Sequence, residues 1–323
     1  MLHPLLGSLL AALTFALSFA ASAQQYPVRP VRIVVPFGAG APDTVARILS
    51  QQLATQTGQP FVVDNRAGAN GLIGTDIVVK SPSDGYSVLL VSTSIVVNPS
   101  IYKKMPFDPL KDLDAVTNVC STEALILGVH PSVAASSARE LVELVRRPGS
   151  RFSYGSPGIG NTLHLAGALF AARAGLKMEH VPYKGAGPAI AGLIAGDTQV
   201  MFMTAPLSIA QIKAGKIRAI GYTHKTRAAF LPEVPTMNES GVAGMEIDGG
   251  WFGLFVPAGT PPEIIARLNG ETRKALAVSS VRERMNALGL DPVGSPSAEF
   301  RAQVESQHKA YAEMVRIAGI QPE

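Results

Sequence analysis

Twice along this chain a short β-branched run passes through a small-residue turn into a segment with helical spacing, and that recurrence restricts the fold more than any other feature. In "RIVVPFGAGAPDTVARILSQQL", Arg32 to Pro36 reads as a strand and "FGAGAP" as a turn. A helix then follows from Asp43, because Val45, Ile48, Leu49 and Leu53 fall at i, i+3, i+4 and i+8. Gly58 stops that helix; "PFVVD" is a second strand, "NRAGANG" a second turn, Leu72 to Val79 a second helix and "SPSDGYSVLLV" a third strand. A β-α-β-α-β order requires parallel pairing, because each helix carries the chain back to the end where the next strand starts. From Arg151 the pattern returns as strand "RFSY", turn "GSPGIGN", helix Thr162 to Ala174, strand "MEHVP", turn "YKGAGP", a helix to Ala195, strand "QVMFM" and a helix through Pro206. The prediction is an α/β protein of two lobes, each a mainly parallel sheet flanked by helices. After Tyr222 a turn-rich stretch leads into the aromatic strand "GGWFGLFVP" and two long helices, Pro262 to Leu288 and Ser297 to Ala318, which cross back onto the first lobe.

In such sheets the loops leaving the carboxyl ends of strands carry the ligand, and the following helix aims unpaired N–H groups and a partial positive charge at it. Glycine and alanine let a ligand approach that backbone closely. Four turns here have this form, "FGAGAPD", "RAGANG", "GSPGIGNT" and "YKGAGP". Converging on one cleft, they suit a small carboxylate better than a large neutral molecule.

The amino end precedes any fold. Leu5 to Ala20 is apolar and small, and Ala21-Ser22-Ala23 fits signal peptidase, so residues 1–23 read as a cleaved signal peptide, Gln24 as the mature start and the periplasm as the destination. No nucleic-acid role is expected, because the net charge of +4 is dispersed and an exported protein meets none. The single cysteine, Cys120, excludes an internal disulfide and reads as a buried small hydrophobe. Six histidines stand without metal-ligand spacing, so no metal or other cofactor is expected.

Enzyme motifs fail on inspection. Asp43 stands where a dinucleotide fingerprint needs its third glycine, and there is no Gly-Lys-Ser/Thr of a P-loop. Ser100-Ile101-Tyr102-Lys103 matches S-x-x-K, but Pro99 and "KKMPFDP" around it read as a loop. Tyr154 occupies a glycine position of a nucleophile elbow, leaving Ser156 as a hydroxyl donor beside a helix start. Trp251 reads as a core aromatic.

Several segments together, "YPVRPVRIVVPFGAG", "VVDNRAGANGLIG", "NPSIYKKMPFDPLKDLDAVT", "FSYGSPGIGNTLHLAG", "HVPYKGAGPAI", "LIAGDTQVMF" and "GWFGLFVPAGTP", resemble the extracytoplasmic solute receptors of tripartite tricarboxylate transporters, the Bug family, over the whole mature chain. The resemblance implies a Venus-flytrap periplasmic binding protein, non-catalytic and monomeric, that closes by hinge motion on a small organic acid and delivers it to membrane permease subunits. Lobe 1 is placed at 24–124 plus 223–323 and lobe 2 at 125–222. Carried over by position, lobe 1 supplies Phe37, Gly38, Ala39, Gly40, Ala41, Pro42, Asp43, Asn70, Gly71, Ser92, Thr93 and Ser94 to the ligand. Lobe 2 supplies Ser156, Gly158, Ile159, Gly160, Asn161, Thr162, His164, Tyr183, Lys184, Gly185, Ala186 and Thr204. The turn "FGAGAPD" is about one residue shorter than is usual in the family. Met203-Thr204 stands where many members read Asp, which argues against an amino-acid ligand and for one with hydrocarbon or aromatic character. A leucine at Gly160 is expected to abolish binding and leave the melting temperature without ligand nearly unchanged. The alternatives are a periplasmic α/β hydrolase or transferase and a receptor feeding a membrane sensor.

Overall fold

The β-branched run Val31–Val35 forms strand β1, and helix α1 (Ala41–Thr57) follows after five residues. That helix starts at Ala41, two residues before the predicted Asp43, because the fixed φ and missing N–H of Pro42 suit a first turn. The computed structural model describes residues 26–322, so the expected signal segment 1–23 and the start at Gln24 lie outside the described residues. Next come β2 (Phe61–Asn65), a 3-10 turn at Ala69–Gly71, α2 (Leu72–Val79), β3 (Ser87–Ser92), α3 (Ser94–Ile101), β4 (Leu113–Ser121) and β5 (Ile126–Val129). The second half of the pattern is α4 (Ala138–Val145), β6 (Ser153–Ser156), α5 (Thr162–Ala174), β7 (Glu179–Pro182), α6 (Ala186–Ala195), β8 (Val200–Met203), α7 (Ala205–Lys213) and β9 (Arg218–Tyr222). The chain ends through β10 (Trp251–Pro257), α8 (Pro262–Ala277), α9 (Ser279–Ala287), β11 (Asp291–Pro292) and α10 (Ser297–Ile317).

Two sheets result, ordered β11-β4-β10-β3-β1-β2 and β7-β6-β8-β5-β9. Pairing is parallel where the β-α-β pattern predicted it, β1 with β2 and β3, and β6 with β7 and β8. The returning strands β4, β5, β9, β10 and β11 all pair antiparallel, so the sheets are mixed rather than mainly parallel. The expected single helix over Pro262 to Leu288 is two, because Val278 turns extended (ψ 125°) while packing against the first-sheet core. Ser100, read as loop, lies in the last turn of α3.

Helices α8 and α10 do return to the first sheet, α8 against α1 and β4, α10 against α3 and β4. Phe300 on α10 is fully buried, 4.9 Å from the Trp251 ring edge-to-face and 5.1 Å from Phe255. It fills the space over Gly253, where a Cβ would stand 2.2 Å from the ring. Removing an aromatic ring from so complete a contact leaves a cavity, and Phe300→Ala is expected to cost about 3–5 kcal/mol, read as a lowered denaturant midpoint at unchanged slope. A loss below about 1 kcal/mol would mean that α10 does not anchor the first-sheet core.

Candidate functional site

The turn after β1 exposes Gly38 and Ala39 and half-buries Phe37, whose ring packs under the turn at Gly71. A Cβ on Gly71 would lie 3.2 Å from that ring and would need φ +92°, so both space and backbone call for glycine. Asp43 is held by the Arg47 guanidinium one helical turn on (2.9 Å), and that hydrogen bond keeps its carboxyl below the usual range. Asn70, at φ +48°, pairs with Asn98 on α3: its amide donates to Asn98 Oδ1 at 2.8 Å, and Asn98 donates back to the Asn70 carbonyl at 3.2 Å. Ser92 donates to Ser94 Oγ at 3.1 Å, while Thr93 is buried and receives the Trp251 N–H at 2.8 Å. Thr93 therefore ties β3 to β10, and of the expected hydroxyl run only Ser92 keeps partial exposure.

In the second sheet, Ser156 ends β6 and its hydroxyl meets His180 Nε2 at 2.7 Å and accepts the Gly158 N–H at 3.2 Å. Gly160 donates its N–H to His164 Nδ1 at 3.3 Å, and Asn161 caps α5 by accepting from Leu163 N at 2.9 Å. The His164 and His180 rings stack 3.9 Å apart, with Tyr154 stacked on His180 at 5.0 Å. Burial holds the His164 imidazole down at about 4; burial together with the neighbouring His164 takes His180 to about 3. Both are neutral at neutral pH, and each braces one end of the turn from Ser156 to Gly160.

The spacing of Ser156 and His180 is that of a nucleophile and its base, yet Ser156 is wholly buried and no carboxylate among the described residues orients His180. The pair is a brace.

The two sheets meet through these turns. A Cβ on Gly160, which sits at φ +76°, would lie 3.1 Å from Ile101 and 3.2 Å from the Asn70 amide. Ile159 and Leu165 pack into the same apolar cluster as Ile101 and Trp251, and α5 packs against α10. Among the described residues the amides of Gly38, Ala39, Ile159, Thr162 and His164 donate to no other backbone group, as is usual for first-turn and loop donors at an open helix end.

The other expected positions differ in kind. Gly185 N–H is taken by the Pro157 carbonyl at 3.0 Å, Ala186 opens α6, and Lys184 is exposed and makes no ion pair among the described residues. Tyr183 folds its ring inward over Gly155 and Gly192, against the second-sheet core. Thr204 heads α7 without a capping bond, its hydroxyl buried and unpartnered. Met203 is fully buried with its methyl against Gly128, so it packs the second-sheet core and says nothing about a ligand's hydrocarbon character. Sequence reading missed Asn98, Ile101 and His180. His180 lay in plain view as the central residue of the strand "MEHVP", but a strand residue gives no sign that its ring will meet a turn from the neighbouring strand.

Residues 45–320 match the family described as "Tripartite tricarboxylate transporter family receptor", TctC. BugT of Bordetella pertussis is 35% identical over 301 residues, covering 92% of this chain and 92% of that protein. An R. palustris protein solved with adipate superposes with a TM-score of 0.87 at 32% identity, covering 92% of this chain and all of that one. MatC from Rhodopseudomonas palustris, with bound malate, gives 0.84 at 27% identity over 90% of this chain and all of that one. This chain has the two-lobed α/β fold of periplasmic binding proteins. With the match running through both sheets and the turns that join them, the chain belongs to the TctC family of tripartite tricarboxylate transporter receptors.

Proposed function

We propose that the protein is a non-catalytic periplasmic receptor, exported by its residues 1–23, that closes on a small carboxylate between lobe 1 (24–124 plus 223–323) and lobe 2 (125–222). It then delivers the ligand, as a monomer, to the membrane permease subunits of a tripartite tricarboxylate transporter. The observation that carries this reading is the meeting of two turns, Asn70 of one sheet and Gly160 of the other, beside the N–H groups of Ile159, Thr162 and His164 that make no backbone hydrogen bond among the described residues. Backbone N–H groups at helix amino ends hold an anion without a counter-charge that water would screen. Adipate and malate, found in the two R. palustris structures, are both dicarboxylates, and the turn of Gly38 and Ala39, whose neighbour Phe37 packs against Gly71, is the proposed place for a second carboxylate. Because Met203 lies in the core, selection against amino acids cannot come from that position.

A thermal-shift screen of the purified protein against mono-, di- and tricarboxylates, aromatic acids and amino acids tests the reading. A ligand at about a hundredfold excess over its Kd adds about 2.7 kcal/mol of stability, several degrees in Tm. Stabilisation by one class of acids is the expected result. No shift with any acid, in protein free of co-purified ligand, overturns it.

A further inference from the structure

A second space between the sheets, about 300 Å³, shares no residue with the candidate cleft. Its walls include Asp291 of β11, the crossover residue Glu123, Tyr222 at the end of β9, Phe230, and Arg282 of α9. β11 and β9 are the outer strands of their sheets, whereas Asn70 and Gly160 follow β2 and β6 toward the opposite edges. The cavity therefore lies on the far side of the crossovers from the carboxylate cleft. Its volume sits at the lower end of small-molecule pockets, about 300–1,000 Å³.

The charges on these walls are not matched to one another. Glu123 accepts the Tyr222 hydroxyl at 3.1 Å and has His224 at 3.6 Å. Among the described residues neither Glu123 nor Asp291 pairs with a lysine or arginine, and Arg282 pairs with no acid. Partial burial and the neighbouring Glu123 push the Asp291 carboxyl upward, which places the two carboxyls near one another. Tyr222 and Phe230 meet edge-to-face at 6.2 Å and give that space an aromatic side, which favours an alkylammonium over a hydrated metal ion. Two carboxylates against one guanidinium leave a complement of two positive charges and one negative, on a molecule of a few carbons.

We infer that this cavity is a binding site for a basic α-amino acid, its two ammonium groups received by Glu123 and Asp291 and its carboxylate by Arg282. The site is separate from the carboxylate cleft and does not depend on what that cleft binds.

Calorimetric titration of the purified full-length protein with L-lysine and with 1,5-diaminopentane, which lacks the carboxylate, tests the inference. L-lysine should bind, with Kd raised about tenfold or more in each of Glu123→Gln, Asp291→Asn and Arg282→Gln. The diamine should bind about tenfold more weakly than L-lysine and be indifferent to Arg282→Gln. Gly160→Leu, which blocks the cleft, should leave L-lysine affinity unchanged. Three outcomes overturn the site: no heat with L-lysine up to about 10 mM, binding that ignores all three substitutions, or binding lost in Gly160→Leu. Equal affinity for the diamine overturns the role of Arg282. All three lining residues are at the surface, so circular dichroism of each variant should match the parent.

Discussion

Gly160→Leu is expected to fold and to lose all stabilisation by carboxylates. The glycine adopts φ +76° and a Cβ there would stand 3.1 Å from Ile101 and 3.2 Å from the Asn70 amide, so a large side chain would enter a contact between the two sheets. A leucine would hold the turns apart and remove the proposed geometry in which donors from both sides meet one anion. The structure also revises the sequence-based expectation of an unchanged melting temperature: left-handed backbone costs a branched residue about 1–3 kcal/mol, so the variant should melt several degrees lower without ligand. Gly160→Ala separates the two effects, since it carries most of the backbone strain and little of the bulk. Titration calorimetry with whichever acid the screen identifies is decisive; an unchanged Kd in Gly160→Leu would take this turn out of the site.

The second large effect is with acid. His164 and His180 are held neutral in the folded protein down to about 4 and about 3, whereas in the unfolded chain an imidazole titrates near its ordinary value of about 6.5. As pH falls below that ordinary value, the unfolded chain takes up protons that the folded protein refuses, so stability is fully present above it and declines toward pH 4. The slope approaches ~1.4 kcal/mol per pH unit for each imidazole. Protonation would also turn His164 Nδ1 from an acceptor into a donor facing the Gly160 N–H, so the ligand turn should loosen before the fold melts. Thermal melts from neutral pH to about 4.5 should show a steep fall in the parent and a flatter one in the His164→Gln, His180→Gln double variant. Parallel curves would show that the stacked pair does not bear this load.

Much of this arrangement was legible in the chain because small residues and periodicity act locally. The strands and helices of the two repeated stretches, the glycines at Gly71 and Gly160, and the burial of Trp251 and Cys120 all follow from neighbours within a few positions. What escaped depends on distant partners. β4 is buried on nearly every residue because α8 and α10 both pack on it, so it shows no alternation to mark it as a strand. Met203 was read as facing a ligand because a fully buried strand gives no clue to which side its last residue turns. The braces Asn98 and His180 act across strand and helix boundaries that sequence spacing does not encode. Fold class was thus the easier inference, and the selective contacts of the cleft the harder one.

The position of β10 sets an order of assembly. It lies between β3 and β4 in the first sheet, yet follows them by more than a hundred residues and is preceded by every strand of the second sheet. A chain emerging from its amino end can complete the second sheet while β3 and β4 still lack the strand that joins them. Until Trp251 to Pro257 arrives, the first lobe is two unjoined pieces with open edges, and loop closure over that distance is slow. On the proposed export route, in which the chain is threaded across a membrane before it folds, the late central strand would keep the first half of the chain pliable through most of its passage and lock it only once nearly all of it has crossed.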